Sequence, residues 1–223
     1  MSRTGRPRNA EADEAILDAT RSALVDVGWG KLTMGHVAER AGVAKTTLYR
    51  RWANKNELVL DAVAALFDEL QLPDRGSLAA DVEGVVMEFG ALLDRPETKT
   101  ALMAVVAEST HDEALRLRIR HAIVDRQKRL VELGRERAQA RGELPLDSDD
   151  KAGEDAAARN ADLIFDVIAG AVVHRTLVSG EPVDTSWART FTALLIGGLP
   201  AAMQQIRTEA AAGQPDQKRA GSV

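Results

Sequence analysis

Apolar residues recur at three- and four-residue spacing along most of this 223-residue chain, and runs that alternate polar with apolar residues are nearly absent. Such spacing gathers side chains on one face of an α-helix, whereas a half-buried strand needs a period of two. An all-α fold is therefore expected. Between residues 10 and 27, Ile16, Leu17, Thr20, Ala23, Leu24 and Val27 share a face, and Glu11, Asp13 and Glu14 fill the first turn, where acids suit the positive end of the helix dipole. Gly28-Trp29-Gly30 closes this helix. Thr33 is placed to cap a second helix over 34–41, and Gly42 to turn the chain. A third helix begins near Ala44 with Leu48 and Trp52 as its buried side. Asn54 is placed to cap a fourth, from Lys55 to about Leu70.

After the "LPDRGS" loop the same periodicity predicts helices over 78–93, 98–109 and 112–141, the last ending at Gly142. "LPLDSDDKAGED" reads as a loop. Two strongly apolar helices follow, over 156–179 and 185–205, and residues 210–223 read as a disordered tail. The 112–141 helix carries nine Lys or Arg and five acids, which fits a solvated face.

With 45% hydrophobic and 28% charged residues the chain is expected to fold. It contains no cysteine, which removes disulfides, thiolate zinc sites and thiol nucleophiles together. Neither a signal-peptide apolar run nor a membrane-length one occurs, so a cytoplasmic protein with no membrane partner is expected. Net charge is −5, yet residues 1–56 hold ten Lys or Arg against six Asp or Glu. A basic module thus precedes an acidic body, and a polyanion partner is expected for the first part alone.

"AGVAKTTLYRRW", residues 41–52, explains that asymmetry. Helix, tight glycine turn, helix is the helix-turn-helix arrangement, whose second helix enters the major groove of double-stranded DNA. Lys45, Thr46, Tyr49 and Arg50 project away from Leu48 and Trp52. Lys45 suits guanine O6 or N7 or a phosphate. Thr46 and Thr47 suit either and offer a methyl to thymine, and the Tyr49 hydroxyl suits a phosphate oxygen. Thr33 and Lys55, at helix starts, are candidates for phosphate contacts. Arg3, Arg6 and Arg8, in a flexible basic arm over 1–9, are candidates for the adjacent minor groove.

Catalytic and metal motifs fail. "GWGKLT" is not G-x-G-x-x-G, no G-x-S-x-G elbow exists, and "DSDDKA" lacks the residues a calcium loop needs at its fifth and sixth positions. The four histidines show no metal-ligand spacing. No enzyme, metal or cofactor is expected.

From about Ala15 to Leu60 the order "LTM..VA..AGV", "TLYRRW" and "NK.EL" resembles the TetR-type family of bacterial transcriptional repressors. The resemblance implies a DNA-binding domain over 10–54, a linking helix over 55–70, and a helical regulatory and dimerisation domain extending to residue 209. It implies a repressor acting as a homodimer on a palindromic operator and released by a small-molecule effector. Two departures are visible. Ala44 stands where a Ser often caps the recognition helix, and Gly35 sits inside the second helix, at a cost of about 1 kcal/mol relative to Ala. In the family the last two helices pair across a two-fold axis. Here they carry Gly170, Ala171, Gly197 and Gly198, and Phe165, Ile168, Val172, Leu194, Gly197 and Gly198 are the candidate interface. A ligand pocket is implied among residues 78–179, with Met87, Phe89, Met103, His111, His121, Phe165 and His174 as candidate linings. Two other readings stand beside this one: a helical ligand-binding or scaffold protein with a vestigial helix-turn-helix, and an architectural protein that binds DNA without sequence preference.

Overall fold

Pro7 opens the first helix, because a fixed φ near −65° suits a first turn whose N–H needs no partner. The computed structural model describes residues 7–212, with side chains described for residues 11–210. Among them no strand occurs, and the all-α expectation holds. Helix α1 spans Pro7–Lys31, so residues 7–9, expected in the arm, are helical. The backbone leaves the helical region at Gly28 (φ 71° and ψ 168°), so the regular first stretch of α1 closes there, as expected, and residues 29–31 follow beyond a kink. Helices α2 (Met34–Arg40), α3 (Lys45–Tyr49) and α4 (Lys55–Phe67) follow. Trp52 lies beyond the end of α3, yet it stays buried, and its N–H donates to the Leu48 carbonyl at 2.9 Å.

Next come α5 (Leu78–Asp94), α6 (Pro96–Ser109), α7 (Glu113–Ile119), a π-helical turn (Arg120–Val124) and α8 (Asp125–Ala140). The helix expected to run unbroken over 112–141 therefore contains one turn closed by an i to i+5 bond. One extra residue shifts the apolar face too little for spacing to reveal it. The loop expected over 144–155 is shorter. The Asp150 carboxylate accepts from the Gly153 N–H at 2.8 Å and starts α9 (Lys151–Val173). A second π-helical turn (His174–Val178) and α10 (Thr185–Ala212) complete the described chain. Most of the 210–223 tail lies outside the described residues.

The chain divides into two units. The first comprises the residues up to Leu70 together with Ala91–Gln127. Its core includes Ile16, Leu24 and Leu48, which the periodicity had placed inward, together with Val37, Leu58, Val59, Val63, Leu93 and Val105. Helix α6 packs on both α1 and α4. Arg21 donates to the Ala62 carbonyl at 3.0 Å and pairs with Glu14 and Asp18, which fastens α1 to α4.

The second unit comprises Gln71–Gly90 and the chain from Lys128 onward. Leu78, Ala138, Leu199 and Met203 form its buried cluster, with Val82, Leu144, Ile164 and Ile196 against it. Arg141 closes one end by reaching Asp74 (2.9 Å), Asp81 (3.0 Å) and Glu143 (2.5 Å). Asp81 is buried and also accepts from the Arg75 N–H at 2.6 Å, so its charge is compensated as burial requires.

Candidate nucleic-acid interface

Three local devices shape the helix-turn-helix. The Thr33 hydroxyl accepts from the His36 N–H at 3.2 Å and caps α2. Gly42, at φ 65°, turns the chain, and the Gly42 and Val43 N–H groups donate to Glu39 and Ala38 carbonyls at 3.2 and 3.0 Å. Only a residue tolerant of positive φ fits here without strain. Asn54 accepts from the Glu57 N–H at 3.0 Å while the Glu57 carboxylate accepts from the Ala53 N–H at 2.9 Å, and this reciprocal pair sets the start of α4.

These devices orient α3. Leu48 is fully buried, and the Trp52 indole N–H donates to Asp61 at 2.8 Å. The opposite face carries Lys45, Thr46, Tyr49 and Arg50, all exposed, with Tyr49 at 56%. Thr47 is half-buried. Other basic side chains nearby are engaged: Arg40 pairs with Asp26 at 2.5 Å and Arg51 with Asp13. Among the described residues neither Lys45 nor Arg50 forms an ion pair, so both present uncompensated charge. The exposed side of α3 and its C-cap residue Arg50 thus carry two cations and two hydroxyls, the groups that bind phosphate oxygens and base edges.

A match to "Bacterial regulatory proteins, tetR family" covers residues 16–62, and a match to "Tetracyclin repressor-like, C-terminal domain" covers residues 72–195. The chain belongs to the TetR family of bacterial regulatory proteins. It is a helix-turn-helix, DNA-binding transcriptional regulator, and that family is not one of enzymes. The DNA-binding transcriptional repressor TetR of Mycobacteroides abscessus is 31% identical over 192 residues, covering 84% of this chain and 90% of that protein. The HTH-type transcriptional regulator YdeS of Bacillus subtilis strain 168 is 28% identical over 194 residues, covering 85% and 90%. The solved TetR family transcription regulator SCO0332 superposes with a TM-score of 0.66 at 28% identity, covering 84% of this chain and 98% of that one.

The remaining candidate residues of this TetR-family regulator fall in varied places. Arg3 and Arg6 lie outside the described residues, and for Arg8 only the backbone, in α1, is described. Lys55 is tied inward: its ammonium donates to the Trp29 carbonyl at 3.1 Å and lies 4.1 Å from the centroid of that residue's ring. Trp29 in turn donates its indole N–H to Glu108 on α6 at 3.2 Å. Sequence reading missed Trp29 as a hub. The only signal was an aromatic residue held between two glycines.

In the second unit Phe89 is buried, and Met87 and Phe165 are half-buried, while His174 is exposed, its Nδ1 3.4 Å from the Ser179 hydroxyl. Met103, His111 and His121 belong to the first unit and are exposed, and His121 Nδ1 lies 2.8 Å from Asp125. On α9 and α10, Leu194 is 76% exposed, Leu163 and Val167 are exposed, and a Cβ at Gly170, Gly197 or Gly198 would meet nothing within 4 Å. Ile168 is half-buried, and Val172 is fully buried within its own chain. Among the described residues no helix is long and apolar enough to cross a membrane, and no His, Asp or Glu cluster is placed to hold a metal.

Proposed function

We propose that this regulator is a homodimeric repressor that binds a palindromic operator and leaves it when a small-molecule effector binds. The observation that carries the DNA half is the exposed face of α3, where Lys45, Thr46, Tyr49 and Arg50 stand opposite the buried Leu48. Thr33, Lys45, Thr46, Thr47, Tyr49 and Arg50 form the contact surface. The dimer half rests on α9 and α10, where Leu163, Val167, Gly170, Leu194, Gly197 and Gly198 are exposed among the described residues. Small residues there let two helices approach closely, and a shared apolar face is self-complementary across a two-fold axis. Two recognition helices related by that axis address half-sites about 34–36 Å apart, which makes the operator palindromic. An effector seated among Met87, Phe89, Phe165 and their neighbours changes operator affinity 5- to 150-fold through a coupling of about 1–3 kcal/mol. Repression is supported by the likeness to the M. abscessus repressor.

The test is selection of genomic fragments by the purified protein near physiological salt, followed by sequencing of the retained DNA. A shared palindrome supports the proposal. Retention without a common motif would favour an architectural DNA-binding role, and retention of nothing would favour a ligand-binding protein with a vestigial helix-turn-helix.

A further inference from the structure

Gly35 is the second residue of α2, where glycine favours the helix less than alanine does and the φ is not positive, so the backbone does not require it. What the missing Cβ does provide is room. A Cβ at Gly35 would lie 3.0 Å from both Cε and Nζ of Lys45, and 3.5 Å from the Thr33 hydroxyl. The Lys45 side chain therefore leaves the first turn of α3 and folds back across α2, resting its ammonium on bare backbone. It borders a hollow of about 450 Å³ whose wall includes Thr33, His36, Glu39 and Val43. Among the described residues this ammonium forms no ion pair, so its position is set by space and not by a partner.

That placement decides between the two roles open to Lys45. In a helix-turn-helix the second helix lies along the base edges while the first crosses the sugar-phosphate backbone. An ammonium drawn back onto α2 is carried from the base edges toward the strand that α2 crosses. We propose that Gly35 is a positioning residue that assigns Lys45 to a phosphate, so that Lys45 supplies affinity and register but not sequence preference. Base reading then falls to Thr46, Thr47 and Arg50. The inference rests on the DNA-binding reading above and deepens it.

The experiment is a double-mutant cycle of Gly35→Ala and Lys45→Ala, with affinity for the selected operator and for unrelated duplex measured across a salt series. Lys45→Ala is expected to weaken both duplexes by a similar factor, about tenfold, and to lower the slope of log K against log salt by about 0.9 per protomer. Gly35→Ala is expected to weaken operator binding about fivefold when Lys45 is present and to have no effect when position 45 is Ala. Its urea midpoint should equal or exceed the parent's, since Ala favours the helix. Four results would overturn the assignment: a preference that changes at one base pair per half-site with the slope unmoved, no loss of affinity in Gly35→Ala, an equal loss in both backgrounds, or a lowered urea midpoint. A parent protein that retains no duplex fails before any variant is made, and removes the DNA-binding reading and this inference together.

Discussion

The Lys55 ammonium is held by a single residue, Trp29, which offers it a carbonyl oxygen at 3.1 Å and a ring face at 4.1 Å. Trp29 sits one residue after the kink at Gly28, and its indole N–H reaches Glu108 at 3.2 Å. One side chain thus joins the end of α1, the start of α4 and the end of α6. Replacing Trp29 by Ala removes the cation–π contact, the bond to Glu108 and a half-buried ring, and is expected to destabilise the protein by about 2–3 kcal/mol. Lys55→Gln keeps the ring and is expected to cost about 0.5–1 kcal/mol, with less effect on operator affinity than Lys45→Ala. Urea unfolding and operator titration of both variants measure this. An affinity loss for Lys55→Gln matching that of Lys45→Ala would return Lys55 to the DNA surface.

Gly42 and Gly90 are needed for different reasons, and alanine separates them. A Cβ at Gly42 would meet nothing within 4 Å, so Gly42→Ala pays only for the positive φ, about 1 kcal/mol. A Cβ at Gly90 would stand 2.5 Å from the Val183 Cβ, where the loop before α10 rests on α5. Gly90→Ala therefore costs about 1–3 kcal/mol through overpacking. The double variant Gly90→Ala with Val183→Ala should recover part of that loss, whereas trimming neighbours cannot rescue Gly42→Ala. Chemical denaturation of the three proteins is sufficient to decide.

Glu143 makes acid stability depend on one corner of the second unit. Its carboxylate accepts from the Leu78 N–H at 2.7 Å and from Arg141 at 2.5 Å, and these two bonds, the backbone one first, hold its pKa below the ordinary glutamate value. A carboxylate whose folded pKa is depressed contributes stability that is complete above the unfolded value of about 4.3, and that is lost as pH falls through the folded value. Glu143→Gln should lower stability at pH 7 and flatten the decline of stability with acid. Denaturation between pH 7 and pH 3 reads both effects. Parallel curves for parent and variant would show that Glu143 is not a source of the acid dependence.

Leu194 is exposed within its own chain, so a charge there leaves the fold intact and tests the partner contact proposed above. Leu194→Glu is expected to convert the dimer to a monomer while leaving the unfolding curve of the monomer unchanged within about 0.5 kcal/mol. It should also weaken binding to a two-half-site operator far more than to a single half-site. Light scattering coupled to size exclusion checks the first expectation, and a dimer that persists would place the interface elsewhere.

Readable in the amino-acid order were the features that depend on near neighbours. Helix periodicity, the Thr33 and Asn54 caps, the Gly42 turn and the polar face of α3 each arise from residues within a few positions of one another, and hydrogen bonds to the nearest N–H groups fulfil them. The one-turn shifts were not visible, because an i to i+5 bond at Arg120 or His174 moves the apolar face by a single residue. Contacts between distant residues were also invisible. Trp29 meets Glu108, Leu78 meets Glu143, and Lys45 comes to rest on Gly35 through the angle between two short helices. A lysine's charge was plain from its letter. Which partner that charge meets, a ring for Lys55 or open solvent beside a glycine for Lys45, depended on helices brought together by burial of their apolar faces, a cooperative outcome that no local pattern encodes.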